Sequence, residues 1–143
     1  MSLETLVPNL RAAFRTRLLT LTGLPTSRAW EGETFEPTDG QAYVAEAMQV
    51  ASQRRMSYGA NTVGDIHQHA LIAAATFFYP NGKGTSAIEA IAGKCQKLFI
   101  SGTSLTHGGD RATVINVSRS GLYKDGNRIA CAVSVELQAF TQN

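Results

Sequence analysis

The run Arg128 to Phe140 restricts this chain more than any other segment, because Ile129, Cys131, Val133, Val135 and Leu137 all fall on one parity. Strict alternation over that length is the signature of a long strand with one face buried and the other turned outward. Such a strand needs neighbours of comparable length. The sequence supplies them in Ile66 to Tyr79, an apolar run ending in Thr76-Phe-Phe-Tyr79, and in Ala42 to Gln53, which alternates by halves. Thr113 to Arg119 is a fourth strand, with Val114, Asn116 and Ser118 set against Ile115 and Val117, and Arg28 to Glu31 is a short fifth one. Asp125-Gly126 provides turn chemistry ahead of the last strand.

Two segments follow the helical period instead. Leu3, Leu6, Val7, Leu10, Phe14, Leu18 and Leu21 lie on one stripe, with Arg11 and Arg15 off it, and Gly23 followed by Pro25 closes the helix. Pro8 either starts the regular helix or bends its first turn. The second stripe is Ile88, Ile91, Cys95, Leu98 and Phe99, with Glu89, Lys94 and Lys97 off it. Ser86-Ala-Ile-Glu89 ahead of it reads as a capping box. The order of elements predicts an α+β fold: a mostly antiparallel, mixed sheet of about four to five strands with both helices packed on one face. At 143 residues, 43% hydrophobic and 17% charged, the chain reads as one domain, residues 1–143, able to bury a real core.

Composition and spacing narrow the function. No apolar run approaches a membrane span, and Met1 to Thr5 lacks the basic and apolar segments of a secretory signal, pointing to synthesis in the cytoplasm. A net charge of +2 is too small for a nucleic-acid footprint. Cys95 and Cys131 belong to no metal or redox spacing and read as small core residues. The stretch Tyr79 to Glu89 resembles a phosphate loop at first sight, but Gly84 follows Lys83 where a hydroxyl belongs, and Phe77 occupies the position of the leading glycine. It is a strand-to-helix turn, with Pro80 ending the strand and Gly82 and Gly84 reversing the chain. His67 and His69, two apart on a strand, would aim at one face and could offer metal ligands with His107, but spacing supplies no further donor. Ser101 to Ser104 and Ser120-Gly121 lack the nucleophile-elbow pattern and read as turns. Glu31, Glu33 and Glu36 lie in a proline-containing loop where solvation accounts for them. No catalytic residue, cofactor site or metal site is assigned. Trp30 is a core plug or an anchor at a subunit contact.

Taken together, these segments resemble the tail terminator, or tail completion, proteins of long-tailed bacteriophages and prophages. The resemblance spans nearly the whole chain and rests on the helix ending at Leu21-Thr-Gly-Leu-Pro25, on Arg28-Ala-Trp-Glu31 with Phe35-Glu-Pro37, and on the strand from Tyr43. It continues through Arg54-Arg55 to Tyr58-Gly59, Phe77 to Gly84, the helix ending at Phe99, and Asp125-Gly126 before the final strand. The Ala-rich, His-bearing stretch Ile66 to Ala75 departs from it, since stronger strand formers are expected there. The resemblance implies a structural virion protein that forms a ring, often of six subunits, on the head-proximal end of the tail tube. Its partners would be itself, the tube protein and the head-tail connector or neck protein, with DNA only passing through the lumen. A ring requires two different complementary patches per subunit. Two segments have spare length for this, Arg54 to Gly64 and Glu31 to Gly40, so Trp30, Phe35, Arg54, Arg55, Met56 and Tyr58 are the expected contact residues. Two alternatives are a head-side neck or adaptor protein and a small metal-dependent enzyme or ligand-binding domain built on His67 and His69.

Overall fold

A computed structural model describes residues 3–55 and 66–142. In chain order the elements are α1 (Leu3–Leu18), β1 (Ser27–Trp30), β2 (Tyr43–Arg55), β3 (Ile66–Pro80), α2 (Ser86–Leu98), β4 (Ser104–His107), β5 (Asp110–Arg119), β6 (Tyr123–Asp125) and β7 (Arg128–Gln142). The fold is α+β, and the strands form one sheet in the order β1-β2-β3-β7-β5-β4, with β6 paired to β7 off that path. The described residues form seven strands where four to five were expected. The two unforeseen ones, β4 and β6, are four and three residues long, too short to carry a readable alternation. The Ser101 to Ser104 turn therefore ends at Thr103, and Ser104 opens β4.

The centre of the sheet is the pair β3 and β7, antiparallel without a break from Ile66 opposite Gln142 to Pro80 opposite Arg128. Each has 15 residues, well beyond the usual strand of about 5–6. The Ala-rich part of β3 holds because it is paired on both sides, by β2 and by β7, so that tertiary pairing overrides alanine's weak strand preference. β1 is an edge strand parallel to β2 and makes the sheet mixed.

Parity decides where the core lies. Leu71, Ala73, Ala75 and Phe77 of β3 and Cys131, Val133, Val135 and Leu137 of β7 are buried on one face, together with Val44 and Met48 of β2. Both helices cover that face: α1 touches β2, β4 and β5, and α2 touches β3, β5 and β7. Leu6, Leu10, Phe14 and Leu18 of α1 and Ile88, Ile91, Ala92 and Cys95 of α2 fill the layer between. Phe14 stacks on Phe99 with ring centroids 4.7 Å apart. α1 begins at Leu3, so Pro8 lies inside it, where its missing N–H removes one bond of the early ladder.

Two local expectations are corrected. Helix α2 has Thr85, not Ser86, as its N-cap and makes no side-chain capping bond; the Thr85 carbonyl accepts the Glu89 N–H at 3.0 Å instead. Ser86 is already inside the helix, so the Ser86–Glu89 capping box does not form. In β5 the pairing with β7 shifts between Val114 and Asn116, a bulge that leaves Ile115 exposed and returns Val117 to the core side opposite Val135. The simple alternation expected over Thr113 to Arg119 fails at that inserted residue. The Gly82 and Gly84 turn is as expected, with φ of 93° and 81°, values open to glycine and costly to other residues.

Candidate functional site

Three surfaces emerge from this frame. The first is the sheet face opposite the helices, along whose middle no element among the described residues packs. Its cross-strand rows are Ala47–Ala74–Ser134–Ser118, Gln49–Ile72–Glu136–Asn116 and Ser52–Ala70–Gln138–Thr113. Glu136 is the one charged side chain in these rows, in a chain that is 17% charged. The small side chains leave a depression of about 260 Å³ bordered by Ala47, Gln49, Ile72, Ala74 and Ser134, with Glu31 and Met48 at its β1–β2 side. These three rows are nearly neutral and low in relief; the next row toward the far end of β2 is Arg54–Gln68–Phe140.

The second surface is the β1–β2 edge, organised by a buried carboxylate. Glu46 shares the parity of Val44 and Met48, and its side chain has no exposed area. Arg15 donates to its Oε1 at 2.7 Å and Arg11 to its Oε2 at 3.3 Å. Arg11 also pairs with Glu31, whose Oε1 accepts the Met48 N–H at 3.3 Å, and Arg15 lies 3.8 Å from Glu33. The Arg11 hydrogen bond, with help from the Met48 N–H, holds the Glu31 carboxyl below its usual pKa. The arginines stand one turn apart on α1, so one helix face clamps both strands. Glu31 was expected to be a solvated loop residue, and here it is the connecting link. Glu46 was not foreseen; the legible signal was a carboxylate on the buried parity of a strand, matched by arginines at helical spacing.

The same clamp fixes the loop from residue 31 to residue 40. Trp30 is half-buried, with the Arg15 guanidinium 5.2 Å from its ring centroid. Phe35 packs on Tyr43, which stacks on Phe78 at 4.4 Å. The buried Arg128 donates to the carbonyls of Thr38 at 2.7 Å and Gln41 at 3.4 Å and lies over the Tyr43 ring. Glu33, Glu36 and Asp39 remain exposed on the loop so held. Arg54 is exposed near the end of β2, opposite Gln68, and Arg55 closes that strand opposite His67. Met56 and Tyr58 lie outside the described residues, as does most of the segment Arg54 to Gly64.

The third surface is a groove of about 590 Å³ between the C-terminal ends of the helices, lined by Arg17, Thr20, Leu21, Thr22, Lys94, Lys97 and Leu98. Arg17 donates to the Leu98 carbonyl at 2.9 Å, which fastens α1 to the end of α2.

The histidines are not assembled into a metal site. His69 is buried, its Nε2 2.8 Å from the Thr141 hydroxyl, and desolvation, with the neighbouring His67, pushes its pKa down. His67 Nδ1 lies 3.4 Å from Gln53 Nε2, and His107 sits at the end of the edge strand β4. Among the described residues, no group of three or more His, Cys, Asp or Glu side chains is placed to hold a metal ion. Nor is any helix among them long and apolar enough to cross a membrane.

Comparison with known proteins bears on these surfaces. The model of the family described as phage tail terminator protein matches residues 9–137. No curated protein matches. One solved structure superposes with a TM-score of 0.70 at 21% identity, over 97% of this chain and 96% of the other. Another, a chain from the virion of a native gene transfer agent particle, superposes with a TM-score of 0.54 at 15% identity, over 96% of this chain and 98% of that one. At these identities the likeness is one of fold.

Proposed function

The chain belongs to the phage tail terminator family, structural proteins of the virion tail, and from that premise we propose that it assembles as a six-membered ring on the head-proximal end of the tail tube. The ring ends tube polymerisation and presents the surface to which the head's connector joins. One domain spanning the whole chain serves as the subunit.

The observation that carries this reading is the uncovered sheet face. A wall past which DNA travels must not hold phosphates, and Lys or Arg there would form strong charge-assisted contacts. The three central rows contain neither, and their single charge, Glu136, repels phosphate. Small neutral side chains give such a wall low relief. The opposite face is closed by the helices, so only one side of the sheet is available to form a lumen.

Termination on this reading breaks no covalent bond. One side of the ring reproduces the contact that a tube layer makes with the next, and the other side lacks it, so the following layer finds no complementary surface. The subunit contact is heterologous and closes by rotation. Trp30, Phe35, Arg54, Arg55, Met56 and Tyr58 belong to the segments that meet neighbouring subunits.

The test is to add the protein in excess to polymerising tail tubes and image the product. Annuli on one end of each tube and arrested length are expected. Tubes that lengthen unchecked refute the proposal, and binding to filled heads in preference to tubes reassigns the protein to the head side of the joint.

A further inference from the structure

The loop from residue 31 to residue 40 and the groove between the helix ends are complementary in charge and lie on opposite sides of α1. Arg11 and Arg15 point from α1 toward the β1–β2 edge, where they hold Glu31. Arg17 and Thr20 point the other way, since they also line the surface shared with Ser104 to His107 of the edge strand β4. About half a helical turn separates Arg15 from Arg17, which places the two surfaces across the helix from one another.

The loop is acidic and pre-shaped. Glu31, Glu33, Glu36 and Asp39 fall within nine residues that contain no Lys or Arg. It is fastened to its own subunit at Glu31, at Phe35 on Tyr43, and at Thr38 and Gln41 on Arg128. Its exposed acids are therefore presented on a fixed backbone, and little ordering entropy remains to be lost on contact. Glu36 and Asp39 form no ion pair among the described residues.

The groove is its counterpart. Lys94 and Lys97, one turn apart on α2, are exposed and form no ion pair among the described residues, and Arg17 stands beside them. Lys97 in the last turn offsets the negative end of the helix dipole, but Lys94 lies a turn earlier, where that effect has faded. Leu21, Leu98 and the aliphatic stems of the cations give the groove an apolar floor.

We propose that the acidic loop of one subunit, centred on Glu36 and Asp39, docks into the Arg17–Lys94–Lys97 groove of the next, forming the head-to-tail contact that closes the ring. Two unlike patches on opposite sides of one subunit are what a heterologous interface demands. This rests on the ring reading above and names its contact.

The experiment uses the full chain with charge-reversed pairs. In Lys94→Glu/Lys97→Glu the groove becomes acidic; in Glu36→Lys/Asp39→Lys the loop becomes basic. Each variant alone should associate about 100-fold more weakly than the wild type, because like charges then face each other. Both variants should still unfold in one cooperative transition, the groove variant at a somewhat lower temperature because Lys97→Glu puts a negative charge at the C-terminal end of α2, which shows that both variants fold. Mixed in equal amounts, the two variants should recover rings, since each loop again meets a groove of opposite charge. The readout is particle mass in solution and annuli on tube ends. Raising salt from about 0.1 M to about 1 M should weaken wild-type association, because the screening length falls from roughly 10 Å to roughly 3 Å. Rings that persist in both single-surface variants, or variants that stay dissociated on mixing, overturn the proposed contact while the ring reading stands. A wild-type protein that forms no ring, free or on tubes, removes the ring reading itself. If the groove variant keeps its rings but loses its tubes, the groove's occupant is another tail chain and the proposal fails.

Discussion

Glu46→Gln tests the central electrostatic feature of the fold, a fully buried carboxylate between two arginines. The amide keeps the side chain's size but replaces one acceptor oxygen with a donor that must face a guanidinium. One charge-assisted hydrogen bond is lost, at about 1.5–3 kcal/mol, and the neutral amide weakens the other. Removing one partner of a fully buried pair costs about 3–5 kcal/mol. Here the arginine side chains are 22% and 23% exposed, and Glu31 and Glu33 remain beside them, so part of their charge stays compensated. The expected loss is therefore about 2–3 kcal/mol, or roughly 6–12 °C in Tm for a chain of this size. Urea unfolding monitored by circular dichroism measures it, with an unchanged m-value as the check that the denatured state is comparable. In an Arg11→Met/Arg15→Met background the same Glu46→Gln change should stabilise, because it then removes an unpartnered buried charge. A loss under about 0.5 kcal/mol in the wild type, or the same sign in both backgrounds, would refute the assignment of Glu46 as the anchor of the β1–β2 edge.

Burial lowers the pKa of His69 in the folded protein, so the unfolded chain takes up its proton first; stability is full above the ordinary value of 6.5 and declines as pH falls below it. His69→Gln should flatten the pH dependence of Tm in that window, and an unaltered slope there contradicts the reading. Gly108 has φ +58°, and a Cβ added there would come within 2.8 Å of Asn9 Nδ2, whose bond to Asp110 is 2.8 Å long; at Gly109, φ +88°, a Cβ meets nothing within 4 Å. Gly108→Ala should therefore destabilise more than Gly109→Ala, by about 1 kcal/mol in chemical denaturation, and equal losses would show that the Asn9 contact yields without cost. Cys95 is buried with its thiol pKa pushed up to about 12, which at pH 8 leaves only about 1 part in 10,000 as thiolate. Iodoacetamide at that pH should leave Cys95 unmodified in the native protein and alkylate it in denaturant; mass spectrometry showing rapid native modification would contradict its burial.

The tail terminator profile places this chain in a family whose work is assembly, and the molecule is built accordingly. Many of its charged side chains lie on the helix side and the loop, whereas the three central rows of the outer sheet face carry Glu136 alone.

The long strands and both helices were legible from the sequence because each buries one face against a large partner, so its apolar residues must repeat with the element's own period. Ile129 to Leu137 on one parity and Leu6 to Leu18 on one stripe by themselves require a half-covered sheet. Short edge strands carry no such repeat: β4 and β6 exist because longer neighbours offer them hydrogen-bonding partners, and nothing in Ser104–His107 or Tyr123–Asp125 requires it. The bulge at Ile115 and the pinning of the loop by Glu31 and Arg128 likewise arise from contacts between residues distant in the chain. Local period records which face of an element is dry; only the folded molecule determines which charges meet across it, as Glu46 meets Arg11 and Arg15 from 35 and 31 positions away.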